Sequence, residues 1–465
     1  MSVNIRRIDC ESEAEGLALV RQLRDQHSLE SEMVTARQRE LTERVFGEPL
    51  SPLRSVERIC REVREQGFAA VARFSRCFDD FELTPSCLRV SESELRTAHA
   101  QASAELLESV RHIRDRILTF QMGLVQTDAV WRQDGEEIRV RYRPVRRVGI
   151  HVPGGNAAYP STVLMTAIPA QAAGVREIAV IAPPTRFGSN NPALLAVCYE
   201  LGIREVYRLG GAHGIAALAY GIEGLPRVDM IVGPGNLFVT LAKKHVFGTV
   251  GIDLLAGPTE LVIVADDSAL PQYLAADMLA QAEHAPGSSI LITWRAELLD
   301  AVEEALEEQL QELERADLTR DSLERFGALV HTRDVDQAIT LANLLAPEHL
   351  QICARQAETL ADRIEHAGAI FLGHATPEAV GDYLAGPSHV LPTSGTARFA
   401  SGLSANDFLR RTSVIRFSES ALRREAEHIL RLANIECLPA HGQSVLRRLT
   451  AETSPSETWL GTLRR

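Results

Sequence analysis

The sequence predicts an α/β fold with two doubly wound parallel-sheet units, and three observations carry that expectation. After Arg146, short apolar runs that end in Gly or Pro alternate with helical stretches, which is the texture of βαβ units. The chain has 465 residues, room for about three domains at roughly 150 residues each. Its composition, 45% apolar and 24% charged, is ordinary globular usage that can bury large cores and excludes disordered, collagen-like and low-complexity readings.

Taken in order, the stretch from Glu30 to Gln121 is helical. Leu106, Leu107, Val110, Ile113, Ile117 and Leu118 recur at three- and four-residue steps there. Val130 to Val140 places Asp134-Gly135 between extended stretches, a hairpin signal that marks a boundary. Strands are then expected at Val148–Val152, Ile178–Ile181, Val206–Leu209 and Met230–Val232 in a first unit. A second unit has Leu261–Ala265, Ile290–Thr293, Ala328–His331 and Ala369–Leu372, separated by helices such as Leu298–Leu313. The division is 1–129 as a helical N-terminal segment, 130–258 and 259–375 as α/β domains that look like duplicates, and 376–465 as a site loop with a helical tail. That tail is too short for a core of its own, so it is expected to pack on the main body or on a partner.

Lys plus Arg number 49 and Asp plus Glu 62, a net charge of −13 that repels nucleic acid as a primary partner. The seven cysteines are odd in number, scattered and without C-x-x-C spacing, as expected for reduced cytosolic thiols. Met1 to Gly16 carries charges before any apolar stretch, and the closest thing to a membrane span, Val163–Val175, is short and interrupted by Pro169 and Gln171. A cytoplasmic protein without membrane contact is expected.

In doubly wound sheets ligands sit at the carboxyl ends of strands. Four Gly-rich segments are expected there: Pro153-Gly154-Gly155, Gly210-Gly211-Ala212-His213, Gly233-Pro234-Gly235-Asn236 and Gly257-Pro258-Thr259-Glu260. Each brings backbone N–H groups within reach of a nucleotide or phosphate, and each also serves as a plain tight turn. Gln281 and His284, three apart on the helix expected at Pro271–His284, face one way and can share a metal or simply cap and pack. Glu348-His349 is an adjacent carboxyl and imidazole suited to proton transfer, although neighbours on a helix diverge. Gly381 to Thr393 is a polar, turn-rich stretch in which Asp382 is either a functional group or a cap. Glu436 and His441 lie five apart around Pro439.

Together these residues resemble the histidinol dehydrogenase family. The matching segments are Val148–Gly155 with Ala157–Ser161, Ile231–Asn236, Gly251–Glu260, Gln281–His284, Ala346–Leu350 and Gly381–Thr393. The resemblance implies a homodimer of subunits with two incomplete Rossmann-like domains and shared active sites. One zinc per subunit is implied, held by Gln281, His284, Asp382 and His441, the last reaching in from the other subunit on a swapped tail. The implied activity is NAD-dependent oxidation of L-histidinol through L-histidinal to L-histidine, closing histidine biosynthesis. Glu348 and His349 would be its proton-transfer pair. Thr259, His349 and Glu436 would contact substrate beside the metal ligands, and His151, His213 and Asn236 would lie at the dinucleotide.

Those residue types fit that chemistry: an all N/O ligand set anchors and polarises substrate, and no motif contains a cysteine for a thiohemiacetal. The chain also departs from the family pattern. His151 and His213 stand where Tyr and Gln are usual, Thr259 where Ser is usual, and Ser394 and Cys437 where Gly is usual. These departures permit a relative that oxidises another small amino alcohol or polyol. A non-catalytic zinc-binding paralogue is the reading from a different class.

Overall fold

The computed structural model describes residues 3–10, 12, 15–18, 20, 36–155, 157–284 and 286–450. Its strands, in chain order, are β1 (Arg6–Cys10), β2 (Ala129–Gln133), β3 (Glu136–Pro144), β4 (Arg147–His151), β5 (Glu177–Ala182), β6 (Glu205–Arg208) and β7 (Met230–Val232). They continue with β8 (Gly251–Ile252), β9 (Thr259–Ala265), β10 (Gly287–Thr293), β11 (Ala328–Thr332), β12 (His349–Cys353), β13 (Ala369–Leu372) and β14 (Leu409–Phe417).

The chain divides into two compact units, Met1–Val125 with Pro144–Phe408, and Gln126–Arg143 with Leu409–Arg465. The first contains two parallel sheets. One has the order β6-β5-β4-β7-β8 and the other β1-β11-β10-β9-β12-β13, with every pairing between their strands parallel. Leaving β1 aside, both sheets follow the same winding, 3-2-1-4-5 in their own chain order. The expected duplication is therefore present, as two Rossmann-like sheets that each lack a sixth strand of the usual series.

Burial on both faces explains the near-continuous apolar strands. Helices Gly211–Tyr220 and Leu237–Val246 line one face of the first sheet and the N-terminal helices Pro52–Gln66 and Phe68–Asp79 pack on them, with Val56, Ile59, Val63, Val71 and Phe74 sharing a core with Ile215, Leu218 and Val239. The second sheet is enclosed by helices Pro271–Ala282 and Ala296–Leu310 on one side and by Val335–Leu345 on the other.

Several boundaries differ from those read in the sequence. The N-terminal segment is not wholly helical, because β1 pairs in parallel with β11 and extends the second sheet. The hairpin β2–β3 forms as expected, with Asp134 at φ 45 and Gly135 at φ 89 supplying the two left-handed residues of its turn. It does not open the first α/β domain, however. It joins β14 in a three-stranded sheet, and that sheet with helices Glu419–Ile435 and Pro439–Thr450 makes up the second unit. Gly257–Glu260 precedes β9 and begins it rather than leaving a strand. The other three Gly-rich segments do follow β4, β6 and β7.

The turn after β7 is fixed by buried charge. Lys243 and Asp253 form an ion pair with both side chains under 4% exposed. Lys243 donates to the Gly233 carbonyl at 3.0 Å, and the Gly233 N–H donates to Asp253 at 2.7 Å. Gly233 sits at φ 108, and a Cβ there would meet the His151 carbonyl oxygen at 2.2 Å. Gly233→Ala is therefore expected to cost at least about 2 kcal/mol of stability, read as a lower denaturant midpoint. Gly155→Ala, where an added Cβ meets nothing within 4 Å, is the control expected to stay close to wild type.

Candidate active site

The parallel register of β12 on β9 sets His349 opposite Leu261. That register brings Glu348 to the start of β9, where its Oε2 accepts from the Thr259 hydroxyl at 2.6 Å and from the Glu260 N–H at 2.9 Å. Glu348 is 6% exposed. Burial pushes its carboxyl well above the usual range, against the two hydrogen bonds that favour the ionised form.

His349 is equally buried, and its ring lies 5.9 Å from that of Phe371. Its Nδ1 is 3.1 Å from the Glu260 carbonyl oxygen. A carbonyl can only accept, so Nδ1 carries the proton and Nε2 the lone pair. That lone pair lies toward Asp382, whose Oδ1 is 4.0 Å from Nε2. Burial lowers the imidazole to about 3, which keeps it neutral, with a free lone pair at Nε2, through the physiological range.

Asp382 and Glu378 flank the ring from the short helix Ala379–Tyr383 and the residue before it. With His349 they offer three ligand atoms within 4.8 Å of one another, a group able to hold a cation. Burial raises Asp382 to about 6. His389 lies close by, lowered to about 4 by burial, and its Nε2 has no hydrogen-bond partner. The loop that carries it is pinned where Ser388 donates to the Met165 carbonyl at 2.8 Å, Thr393 accepts from the Gly257 N–H at 2.6 Å and the Ser394 N–H donates to Glu260 at 2.9 Å.

Gln281 and His284 come from the end of helix Pro271–Ala282, with His284 in the turn that follows it. Gly287 lets that turn pass tightly into β10, since a Cβ there would meet the Gln281 carbonyl oxygen at 2.1 Å. The Gln281 amide is fully buried, yet neither its oxygen nor its nitrogen has a hydrogen-bond partner. A buried amide in that state costs on the order of 1–3 kcal/mol, so the site is shaped for a ligand that supplies the missing bond. The His284 ring is near enough to His349 and His389 to bear on both imidazoles electrostatically, and withdrawal of water by its surroundings lowers its own pKa.

On the first sheet, His151 and Asn236 stand at the carboxyl ends of β4 and β7, where the winding reverses. That is the position at which such sheets bind ligands. His151 places Nδ1 2.7 Å from the Pro234 carbonyl oxygen, and burial lowers its pKa to about 4. Asn236 caps helix Leu237–Val246 by accepting from the Val239 N–H and remains exposed. His213 is 2% exposed, beside Phe74 and Phe78 with Nε2 3.2 Å from Asp79; it lies near His151 rather than at the surface. Glu436 and His441 belong to the second unit, both exposed, on either side of the turn between its two helices. Ser394 and Cys437 adopt φ 55 and φ 56, the left-handed backbone that favours the glycine they replace.

Glu378 and His389 are the residues that sequence reading missed. His389 lay inside a stretch already singled out for its polarity, without a spacing partner to distinguish it. Glu378 carried no signal, since only folding brings it to His349.

Comparison with known proteins finds relatives along nearly the whole chain. The family profile described as histidinol dehydrogenase matches residues 49–449. A histidinol dehydrogenase of Rhodopirellula baltica is 55% identical over 435 residues, covering 93% of this chain and 95% of that protein. One from Thermosynechococcus vestitus is 48% identical over 405 residues, covering 87% and 94%. The crystal structure of histidinol dehydrogenase from Elizabethkingia anophelis superposes with a TM-score of 0.86 at 30% identity, covering 97% of this chain and 99% of that one.

The depressed His151 gives a pH prediction. Its folded pKa of about 4 lies below the unfolded value of about 6.5. Between those values the unfolded chain holds a proton that the folded chain refuses, so stability falls as pH drops from about 6.5 to about 4 and no further below that. His151→Gln removes this loss. Unfolding free energies measured across that range are expected to move in favour of the variant by up to about 3 kcal/mol, and parallel curves would contradict the assignment.

Proposed function

This chain belongs to the histidinol dehydrogenase family, and from that premise we propose that it is an active, cytoplasmic, NAD-linked enzyme oxidising L-histidinol through L-histidinal to L-histidine at the end of histidine biosynthesis. The observation that carries this reading is the buried Glu348–His349 pair at the start of β12, beside the unbonded amide of Gln281. A protein that only bound its ligand would have no need of a neutral imidazole and a high-pKa carboxyl buried side by side.

Zinc suits the donor set. Gln281, His284 and Asp382, with His441 of the partner subunit, are the residues we assign to it; the orphaned Gln281 amide and the nearby neutral imidazoles are what a metal of that ligand preference takes. Bound there, it would anchor the substrate and polarise its oxygen. NAD, the acceptor for one hydride in each oxidation, is assigned to the reversal point of the first sheet, with His151 and Asn236 at the crevice and His213 supporting His151 from within.

The chain's own groups carry the protons. His349, its Nδ1–H directed at the Glu260 carbonyl, takes the alcohol proton at Nε2 as the first hydride departs and the aldehyde forms. Glu348, held by Thr259 and the Glu260 N–H, takes a proton from water as its oxygen bonds to the aldehyde carbon. The resulting hydrate anion loses the second hydride to give the carboxylic acid, which sheds its proton to solvent as the carboxylate. Thr259 thus acts on the substrate through Glu348 as well as beside it.

The second unit supports a dimer. Ile415, Leu432 and Ile435 are 67%, 61% and 77% exposed, a cost in water that a second copy would remove. Assigning the tail to the partner's site accounts for His441 lying on a unit with so little core.

With metal-replete protein and L-histidinol, about two NADH per substrate consumed is expected. A panel of other amino alcohols and polyols should turn over far more slowly. A better substrate in that panel would move the reading to another activity within the family, and absence of any NADH would overturn the catalytic reading altogether.

A further inference from the structure

Glu378 is the buried titratable group for which the proton-transfer scheme above has no use. Its side chain is 5% exposed, and Oε2 has no hydrogen-bond partner. Burial and the nearby carboxyls of Asp382, Glu348 and Asp277 all oppose its ionisation. An incompletely bonded carboxyl in an apolar setting is expensive to keep. What it gains is a place 3.3 Å from Nδ1 of His349, closer than Glu348 at 3.7 Å. The Glu378 carbonyl accepts from the Gly381 and Asp382 N–H groups at 2.8 and 3.3 Å, which fixes the backbone from which the side chain reaches.

We propose that Glu378 is the positioning residue of His349: its carboxyl bears on the Nδ1 edge of the ring beside the Glu260 carbonyl that accepts the Nδ1–H, so that Nε2 alone is free to accept the substrate proton. This rests on the reading of His349 as the base. The Glu260 carbonyl accepts the Nδ1–H at 3.1 Å and fixes the tautomer, the Glu378 carboxyl oxygen 3.3 Å from Nδ1 limits the tilt of the ring, and the Phe371 ring lies 5.9 Å away. Glu378 touches neither the reacting carbon nor the oxygen in this scheme.

Glu378→Gln keeps the shape and Glu378→Ala removes the group. Each is expected to lower kcat by about 100-fold while leaving the KM for histidinol within about twofold and the zinc content per subunit at the wild-type level. In a His349→Asn background the added Glu378→Gln should cost nothing further, because it acts only through that ring. In zinc-loaded protein labelled with 15N-histidine, the Nδ1–H signal of His349 should be present in wild type and lost or broadened in Glu378→Ala. Loss of zinc from the Glu378 variants would make Glu378 a ligand and overturn the proposal, as would full additivity in the double variant or an unchanged kcat. A His349→Asn enzyme with wild-type kcat would instead remove the base assignment, and the proposal with it.

Discussion

The pairing of β12 alongside β9 is the constraint on which the rest of the site depends. Its register puts the Glu348 carboxyl at the start of β9, where Thr259 and the Glu260 N–H hold it, and it turns His349 so that the Glu260 carbonyl fixes the tautomer. A slip by one residue would reverse the two faces of the strand and send His349 into the opposite layer. The strand cannot slip easily, because Leu350 and Ile352 are fully buried in one core and Cys353 lies in the other. The geometry of the candidate site is a by-product of close packing between two parallel strands.

The two Rossmann-like sheets share a winding but use opposite ends. In the first, His151 and Asn236 stand at the carboxyl ends of β4 and β7, the customary place for a dinucleotide. In the second, Thr259, Glu260, Glu348 and His349 gather at the amino ends of β9 and β12. The carboxyl ends of those same strands are closed by Asp266, which accepts from Ser268 and from the Arg355 N–H, and by Asp267, which is paired with the Arg355 guanidinium. In the proposed function one sheet serves the cofactor and the other the reacting groups, which would account for a duplicated fold without a duplicated site.

Much of this was legible in the sequence, and what was not has a common cause. Strand runs such as Met230–Val232 and Leu261–Ala265 announce themselves by composition, and the Asp134-Gly135 turn by its backbone demands. β12 escaped notice because Gln351 interrupts its apolar run, and only the fold gives that amide a partner, Asp277 at 2.7 Å. β1 was hidden for the same reason, since an edge strand of alternating charge is recognisable only beside β11. The site divides likewise. Glu348-His349 and Gln281 with His284 stand out as local pairs, whereas Glu378 joins them across sheet and loop, and nothing in its own neighbourhood foretells that. The assignment of Asp382 and His441 to a metal rests on the family resemblance, for neither has a local signal of metal binding.

The central claim is that the groups at the start of β9 and β12, with the end of helix Pro271–Ala282, form one metal-assisted proton-transfer site. Crystals of the zinc-loaded dimer, measured on either side of the zinc absorption edge, test it most directly. The account predicts one anomalous peak per subunit in contact with Gln281, His284 and Asp382, completed by His441 of the partner subunit. A peak held by other residues, or none at full zinc content, would contradict it.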